Sequence, residues 1–333
     1  MQINFLLGPA GSGKTFRCLA EIRAALVASP EGLPLVFLAP RQATFQLERD
    51  LLADPEVPGY TRLQILSFDR LADFILNQFS SAPPRVLDEE GRVMVLRALL
   101  ARNYSQLKLF HASARLPGFA QQLSKLLNEL QQHQLSPERL LKSFPRNSSI
   151  PQFQDKLHDL SLLLGAYLQW LEENELQDPN GRLELAAQAV KQAARQSQFR
   201  LGGLWLDGFS ELTPQELDLL AVLVPSCAHV TLAFCLDAMP EEQDGWESMW
   251  TTINRTFSHC RQRLELLPDI KPRIEMLDRH PAQNRFAGNP ALAHLERHWA
   301  LPKPFEDPIF AKLETDPTLP RSDAPRTTAP RST

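Results

Sequence analysis

The stretch Gly8-Pro9-Ala10-Gly11-Ser12-Gly13-Lys14-Thr15 matches the pattern G-x-x-x-x-G-K-[ST] in full. Before it runs a short apolar segment, Ile3 to Leu7, and after it helical periodicity continues through Leu26. Strand, glycine loop and helix form the setting in which this pattern cradles phosphate. Glycines let backbone N–H groups curl around phosphate oxygens where a side chain would obstruct the approach. The helix beginning near Gly13 adds the positive end of its dipole. In such a loop Lys14 reaches the β- and γ-phosphates of ATP, and the Thr15 hydroxyl coordinates Mg²⁺. Gly8, Gly11, Ser12, Gly13, Lys14 and Thr15 are the candidate nucleotide-binding residues.

Working outward, Pro34 to Ala39 is a second buried-strand candidate, closed by Pro40, and Leu63 to Leu66 is a third. Short apolar runs separated by helical segments predict a parallel sheet with helices on both faces. From about Leu87 to Gln198 the signal is helical only. Leu96, Leu99 and Leu100 mark one stripe; Leu123, Leu126, Leu127 and Leu130 a second; Leu157, Leu160, Leu164, Leu168 and Leu171 a third. Spacings of three and four put each set on one helix face, and the stripes read as core packing. Ser136-Pro137-Glu138 reads as a cap with proline at the first helical position. The α/β pattern then returns. Leu204-Trp205-Leu206-Asp207 is a strand ending in an acid, Thr213-Pro214-Gln215-Glu216 is a capping box opening a helix through Val222, and Val230 to Leu236 is a further strand. The pattern is an α-helical block inserted between parts of one α/β domain.

Asp207 has two readings. It is placed as the acid that holds the magnesium's water shell in phosphate-binding α/β proteins, so it joins the cofactor-binding set and, with Thr15, the metal set. It also fits a turn before Gly208. The residue after such an acid is commonly a glutamate that serves as general base for water. Here it is Gly208, with Glu211 reading as a solvated loop residue, so ATP binding with weak or no hydrolysis is expected. Gln42, Thr44 and Gln46, beyond the second strand, stand where ligands bind in open α/β sheets. They also suit ordinary helix-start chemistry. Amides and hydroxyls hydrogen-bond base edges, and Phe45 or Phe68 offers a ring to stack on bases.

Composition narrows the classes. The chain has 333 residues, 43% apolar and 22% charged, as in an ordinary globular protein of about two domains. No segment approaches the roughly 20 apolar residues of a membrane span. The opening Met1-Gln2-Ile3-Asn4 carries no basic run of a secretory signal, which reads as cytoplasmic with no membrane partner. The four cysteines, Cys18, Cys227, Cys235 and Cys260, form no C-x-x-C pair and read as thiols in a reducing compartment. A net charge of −4 excludes a basic coat, so nucleic-acid contact is expected to be local. Beyond Trp299 periodicity ends. The Pro/Thr/Arg-rich end reads as a disordered, solvated tail, with nucleic-acid contact by its arginines or a shifted reading frame as alternatives.

With these residues in hand, the chain resembles the N-terminal part of the B subunit of AddAB (RexAB)-type ATP-dependent helicase–nucleases. The matching pieces are Phe5 to Thr15, Pro40 to Glu48, Ser67 to Ala72, Trp205 to Phe209 and Thr213 to Leu217, in the family's order and approximate spacing over roughly residues 1–300. The resemblance implies a RecA-like P-loop domain in two parts, 1–82 and 201–300. It also implies an inserted all-helical subdomain over 83–200, with the tail at 301–333. It implies a role in resecting double-strand DNA breaks for recombination, beside an A subunit. In this family the B subunit's single-strand channel recognises the Chi sequence rather than unwinding DNA. Gln42, Thr44, Phe68, Arg70 and Phe209 match its Chi-reading segments, a mix of hydrogen-bonding groups, rings and one guanidinium suited to single-stranded DNA.

The departures are large. The family's B subunit is several times longer. Its second RecA-like domain, its PD-(D/E)xK nuclease and its iron–sulfur cysteines are expected beyond the end of this chain. No cluster, no catalytic residue and no DNA cleavage are expected of this polypeptide. Two further readings stand beside the favoured one: a stand-alone P-loop kinase or ATPase, and a non-enzymatic, nucleotide-stabilised interaction module.

Overall fold

The computed structural model describes residues 2–55, 57–79, 85–142, 151–240, 250–268, 270–280, 286–299 and 302–305. It is an α/β protein with six strands in one parallel sheet and eleven α-helices among the described residues. The chain begins β1 (Gln2–Gly8), α1 (Lys14–Ala28), β2 (Leu35–Leu38), α2 (Thr44–Leu52), β3 (Leu63–Leu66) and α3 (Phe68–Phe79). A run of helices follows: α4 (Glu89–Arg102), α5 (Phe119–Gln132), α6 (Pro137–Lys142), α7 (Pro151–Glu173) and α8 (Arg182–Arg195). The chain then returns through β4 (Gly203–Leu206), α9 (Pro214–Leu223), β5 (Val230–Cys235), α10 (Thr251–Glu265), β6 (Lys271–Met276) and α11 (Pro290–Arg297).

The strand order is β3-β2-β4-β5-β1-β6, every pair parallel. Each pairing joins strands that are far apart in sequence or connected through a helix, as parallel crossovers require. The strands' alternating side chains feed two cores. Phe5, Leu7, Val36, Leu38, Leu204, Leu206, Leu232 and Phe234 face one side with residues of α3, α8, α9 and α10. Leu6, Leu35, Phe37, Ile65, Trp205 and Ala233 face the other with Cys18, Leu19, Ile22 and Leu26 of α1 and Leu47 and Leu51 of α2. Burial on both faces explains why these strands read as continuous apolar runs rather than alternating ones.

The leucine stripes form a third core. Leu96, Leu99, Leu100, Leu123, Leu127, Leu160, Leu164 and Leu171 pack together with Tyr167. Within it lies a buried polar network. Arg92 donates to Asn128 Oδ1 at 3.2 Å and Gln131 Oε1 at 2.7 Å and pairs with Asp178 at 3.5 Å, while the Tyr167 hydroxyl donates to Asp178 at 2.7 Å. The stretch 83–200 is thus divided between two cores. Helices α4 to α7 share one, whereas Ala186, Val190 and Ala193 of α8 join the core of the sheet, where α8 packs on α3 and α9. Leu168 departs from its stripe: it is 39% exposed and lines a cavity of about 960 Å³ where α5 and α7 face α8, α9 and α10.

The expected caps are present. Thr213 and Glu216 form a complete capping box on α9, and the Ser136 hydroxyl accepts from the Arg139 N–H ahead of α6. β6 has no counterpart in the sequence reading. Its residues are exposed or half-buried and include Pro272, both properties of an edge strand, so no buried apolar run announces it. The tail 301–333 lies outside the described residues except 302–305. No helix among the described residues is long and apolar enough to cross a membrane.

Candidate functional site

The site sits at the edge of the sheet where β1, β4, β2 and β3 end. β1 stops at Gly8, and the chain turns through Pro9 to Gly13 into α1. Gly11 (φ +78°) and Gly13 (φ +92°) lie in the left-handed region that side chains resist. Gly8 is held for a different reason: a Cβ there would run into Ser12 Oγ and lie 2.7 Å from the backbone oxygen of Leu277. The loop therefore needs all three glycines to close on itself.

Lys14 is buried, and its ammonium donates to the carbonyls of Gly8 at 2.6 Å and Pro9 at 2.8 Å, across the mouth of the loop. Ser12 Oγ is buried and has no hydrogen-bond partner among the described residues. A buried hydroxyl without a protein partner and a cation held at the loop's carbonyls are groups suited to an anion. Thr15 Oγ1 donates to Asp207 Oδ2 at 2.5 Å. Asp207 directly follows β4, and its N–H donates to the Leu38 carbonyl of β2 at 3.1 Å. Burial pushes the Asp207 carboxyl above the ordinary aspartate range, against the opposing pull of the Thr15 hydroxyl and the Lys14 charge. Lys14, Thr15 and Asp207, which the sequence placed in one candidate set, are thus brought together. They offer a cation, a hydroxyl and a carboxylate at a helix N-terminus, the donor set for a phosphate group with a hard divalent cation.

Arg279 was missed by the sequence reading. It donates from Nε and Nη2 to the Ala10 carbonyl at 3.1 and 2.8 Å, pairs with Glu296 of α11 and lies over the Phe286 ring. It stands just beyond β6, and only recognition of that edge strand would have brought it beside the loop.

Behind the loop, Glu21 of α1 accepts from the Trp205 indole at 3.0 Å, the Thr231 hydroxyl at 2.9 Å and Arg17 at 2.9 Å, and meets His229 at 3.1 Å. Partial burial pushes its carboxyl up, and these four partners overcome that effect and hold it down at about 2. The cluster locks α1 to β4 and β5, the strands flanking the site. Burial pushes the Cys18 and Cys227 thiols up and Cys260 to about 12, so these thiols stay neutral and unreactive.

The five residues matched to DNA contact stand at the ends of three adjacent strands, β3, β2 and β4. Gln42 and Arg70 are exposed, and Phe209 is half-buried. Phe68 is buried, with its edge against the Phe209 ring at 5.4 Å between centroids. Thr44 is also buried, its hydroxyl donating to the Arg41 carbonyl at 3.1 Å. The fully presented ring in this region is Phe45, 73% exposed. Phe209 lies two residues after Asp207, so one short loop carries both the acid facing Thr15 and the ring facing Phe68.

Residues 5–296 match the family model described as ADDB, N-terminal. The chain is 39% identical over 303 residues to the B subunit of the ATP-dependent helicase/deoxyribonuclease of Heliobacterium modesticaldum, an alignment covering 89% of this chain and 24% of that protein. It is 36% identical over 302 residues to the protein of that name from Desulforudis audaxviator, covering 90% of this chain and 25% of the relative. With the Moorella thermoacetica protein of that name it shares 36% identity over 314 residues, 92% of this chain and 27% of the relative. The chain spans about a quarter of the length of these curated relatives. With a glycine loop, a β4 acid and an all-parallel sheet in one continuous match, this chain belongs to the ADDB N-terminal family.

Proposed function

We propose that the chain is the ATP-binding, helicase-like N-terminal region of a helicase–nuclease B subunit acting in double-strand DNA break repair by recombination. The observation that carries this reading is the arrangement around the loop: the Lys14 ammonium on the Gly8 and Pro9 carbonyls and the Thr15 hydroxyl on Asp207. Gly8, Gly11, Ser12, Gly13, Lys14 and Thr15 hold the phosphates of ATP through backbone N–H groups, the Ser12 hydroxyl and the lysine cation. Thr15, and Asp207 through the ion's water shell, would hold Mg²⁺, which would supply neutralisation of phosphate charge.

The fold is RecA-like, in two parts, 1–82 and 201–300, with 83–200 inserted and 301–333 a tail. Hydrolysis is weak or absent. Gly208 occupies the place after the strand acid, has φ +86°, and a Cβ there would lie 3.1 Å from Pro40 Cδ. A glutamate base at that position would be strained, which supports a nucleotide that is held rather than turned over.

Single-stranded DNA lies along the ends of β3, β2 and β4, in the manner of Chi recognition. Gln42 and Arg70 contact it directly and Phe209 stacks on it. Phe68 and Thr44, being buried, fix the shape of that edge. The partner is the A subunit of an AddAB-type complex, and the working site is the cytoplasm.

The deciding experiment is ATP binding by calorimetry to the full chain and to Lys14→Ala. The wild type binds in the presence of Mg²⁺. The variant keeps its circular dichroism and loses binding by more than about 100-fold, as expected for removal of a charge-assisted contact to phosphate. Wild-type affinity in the variant would overturn the assignment.

A further inference from the structure

From Gly91 to Asn128 the chain carries no aspartate or glutamate, although its net charge is −4. The same stretch holds Arg92, Arg97, Arg102, Lys108, Arg115 and Lys125. Arg92 turns inward to the polar network of the helical core. The other five are exposed. Arg97 and Arg102 share one exposed face of α4 with Met94, Ala98 and Ala101, a spacing that repeats every three to four residues. Lys125 lies on the exposed side of α5, which packs against α4, and Lys108 and Arg115 lie in the connection between these two helices.

Among the described residues, Arg97, Arg102, Arg115 and Lys125 form no ion pair; Lys108 alone meets an acid, Asp155, at 3.8 Å. Acids stand only at the ends of this stretch, Glu89 and Glu90 in the first turn of α4 and Glu129 one turn after Lys125, so the cations between them repel one another, a cost that is offset when an anionic surface meets them. The rings of this region are already occupied. Tyr104 is covered by His111, 4.0 Å between centroids, and by Arg115, 4.6 Å from its centroid. Phe110 is buried edge-on against Phe119 at 5.2 Å. Without a stacking platform, the main sequence-tolerant attraction for single strands is missing. What remains is charge, and duplex DNA presents it most densely, about one phosphate charge per 1.7 Å of axis.

We propose that this α4–α5 face is a second nucleic-acid surface, one that grips the phosphate backbone of duplex DNA without reading its bases. It uses none of the residues assigned to ATP or to the single strand. Its charges act by releasing condensed counterions, so binding is salt-steep and sequence-blind.

The test is fluorescence anisotropy with the full chain and a labelled blunt duplex of about two helical turns, titrated over a series of salt concentrations. The triple variant Arg97→Ala/Arg102→Ala/Lys125→Ala loses more than about ten-fold in duplex affinity at low salt, and its log–log salt slope falls by about 2 to 3, near 0.9 for each cation removed. Arg97→Lys/Arg102→Lys keeps wild-type binding, because point charge and not bidentate geometry is used. Control replacement of Arg49 and Arg261, on α2 and α10, leaves duplex binding unchanged. Should the triple variant melt early, Arg97→Gln/Arg102→Gln carries the same test with a slope loss of about 2.

No duplex binding by the wild type, or an unchanged slope in a folded variant, would overturn the proposal. So would an equal loss for the matching single strand. Loss of binding to polyglutamate without loss for DNA would assign the face to an acidic protein instead. ATP binding is measured alongside: Lys14→Ala removes it and leaves the duplex slope intact, so failure of one reading is told from failure of the other.

Discussion

Thr15 Oγ1 and Asp207 Oδ2 are 2.5 Å apart, and they follow strands that are not neighbours: β1 and β4 are separated by β5 in the sheet. The bond therefore closes the site across a strand, tying the start of α1 to the loop that also carries Gly208 and Phe209. The same loop carries the Phe209 ring packed against Phe68.

This relationship sets the first prediction. In the wild type, adding Mg²⁺ strengthens ATP binding; in Asp207→Ala the strengthening disappears while the metal-free affinity stays within about two-fold, because the lysine and the loop N–H groups remain. Calorimetry with Mg²⁺ and with chelator checks this, and an undiminished Mg²⁺ effect in the variant would contradict it.

Gly8→Ala is expected to destabilise the protein by about 1–3 kcal/mol, since the new methyl group meets the Leu277 backbone oxygen, which cannot swing aside. Urea unfolding gives the number. A fall of less than about 0.5 kcal/mol, the range of a neutral surface change, would mean that the β1–β6 end relaxes freely.

Glu21 gives a pH signature. Its folded carboxyl titrates at about 2 against an ordinary value of 4.5, so the ionised form is favoured by the fold. The stability it contributes is fully present above pH 4.5 and is lost as pH falls from there toward 2. Comparing the unfolding free energy of wild type and Glu21→Gln across that window should show the gap between them narrowing on acidification. A gap that stayed constant would remove Glu21 as its cause.

The helical core has its own anchor. Asp159 is fully buried, and its carboxylate accepts the N–H groups of Lys108, Leu109 and Phe110 at 2.8 to 3.1 Å. Asp159→Ala strands those donors and should cost about 3 kcal/mol. Hydrogen exchange is expected to rise in α4 to α7 before it rises in the sheet, because the two regions pack in separate cores. Uniform loss of protection would show that the cores unfold as one.

Phe209→Ala removes the ring resting on Phe68 and should weaken binding to a short oligonucleotide by about 10-fold, the worth of one stacked base. Phe45→Ala on the same edge tests the exposed ring. If neither changes affinity, the strand does not run past β2 and β4.

Much of this molecule was legible as written. The glycine loop carries its own instructions: φ values of +78° at Gly11 and +92° at Gly13 exclude side chains, so sequence and conformation are nearly one statement there. The strands that bury both faces, and the leucine stripes, declare themselves because hydrophobic burial imposes a period that one dimension can carry. The capping box on α9 is likewise local.

What was not legible depends on distance in sequence or on exposure. β6 is an edge strand of mixed polar and apolar residues with none fully buried, so it leaves no continuous apolar run, and Arg279, delivered by it to Ala10, was invisible for the same reason. Both Phe45 and Phe68 offered a ring for stacking in the sequence, and Phe68 was the one matched to DNA contact; the fold buried Phe68 and left Phe45 73% exposed, a difference set by which way α2 and α3 turn on the sheet. Helix α8 looked like the rest of its block, but packing on α3 and α9 drew it into the sheet's core.

The sequence by itself determined the loop, the parallel strands and the helical run, because glycine conformation and burial period are local properties of the chain. Tertiary structure alone decided that Thr15 meets Asp207 across β5, that Arg279 braces Ala10 and that Phe68 leans on Phe209. Those contacts join residues brought together by strand order, and strand order is settled by the packing of the whole sheet rather than by any stretch of it.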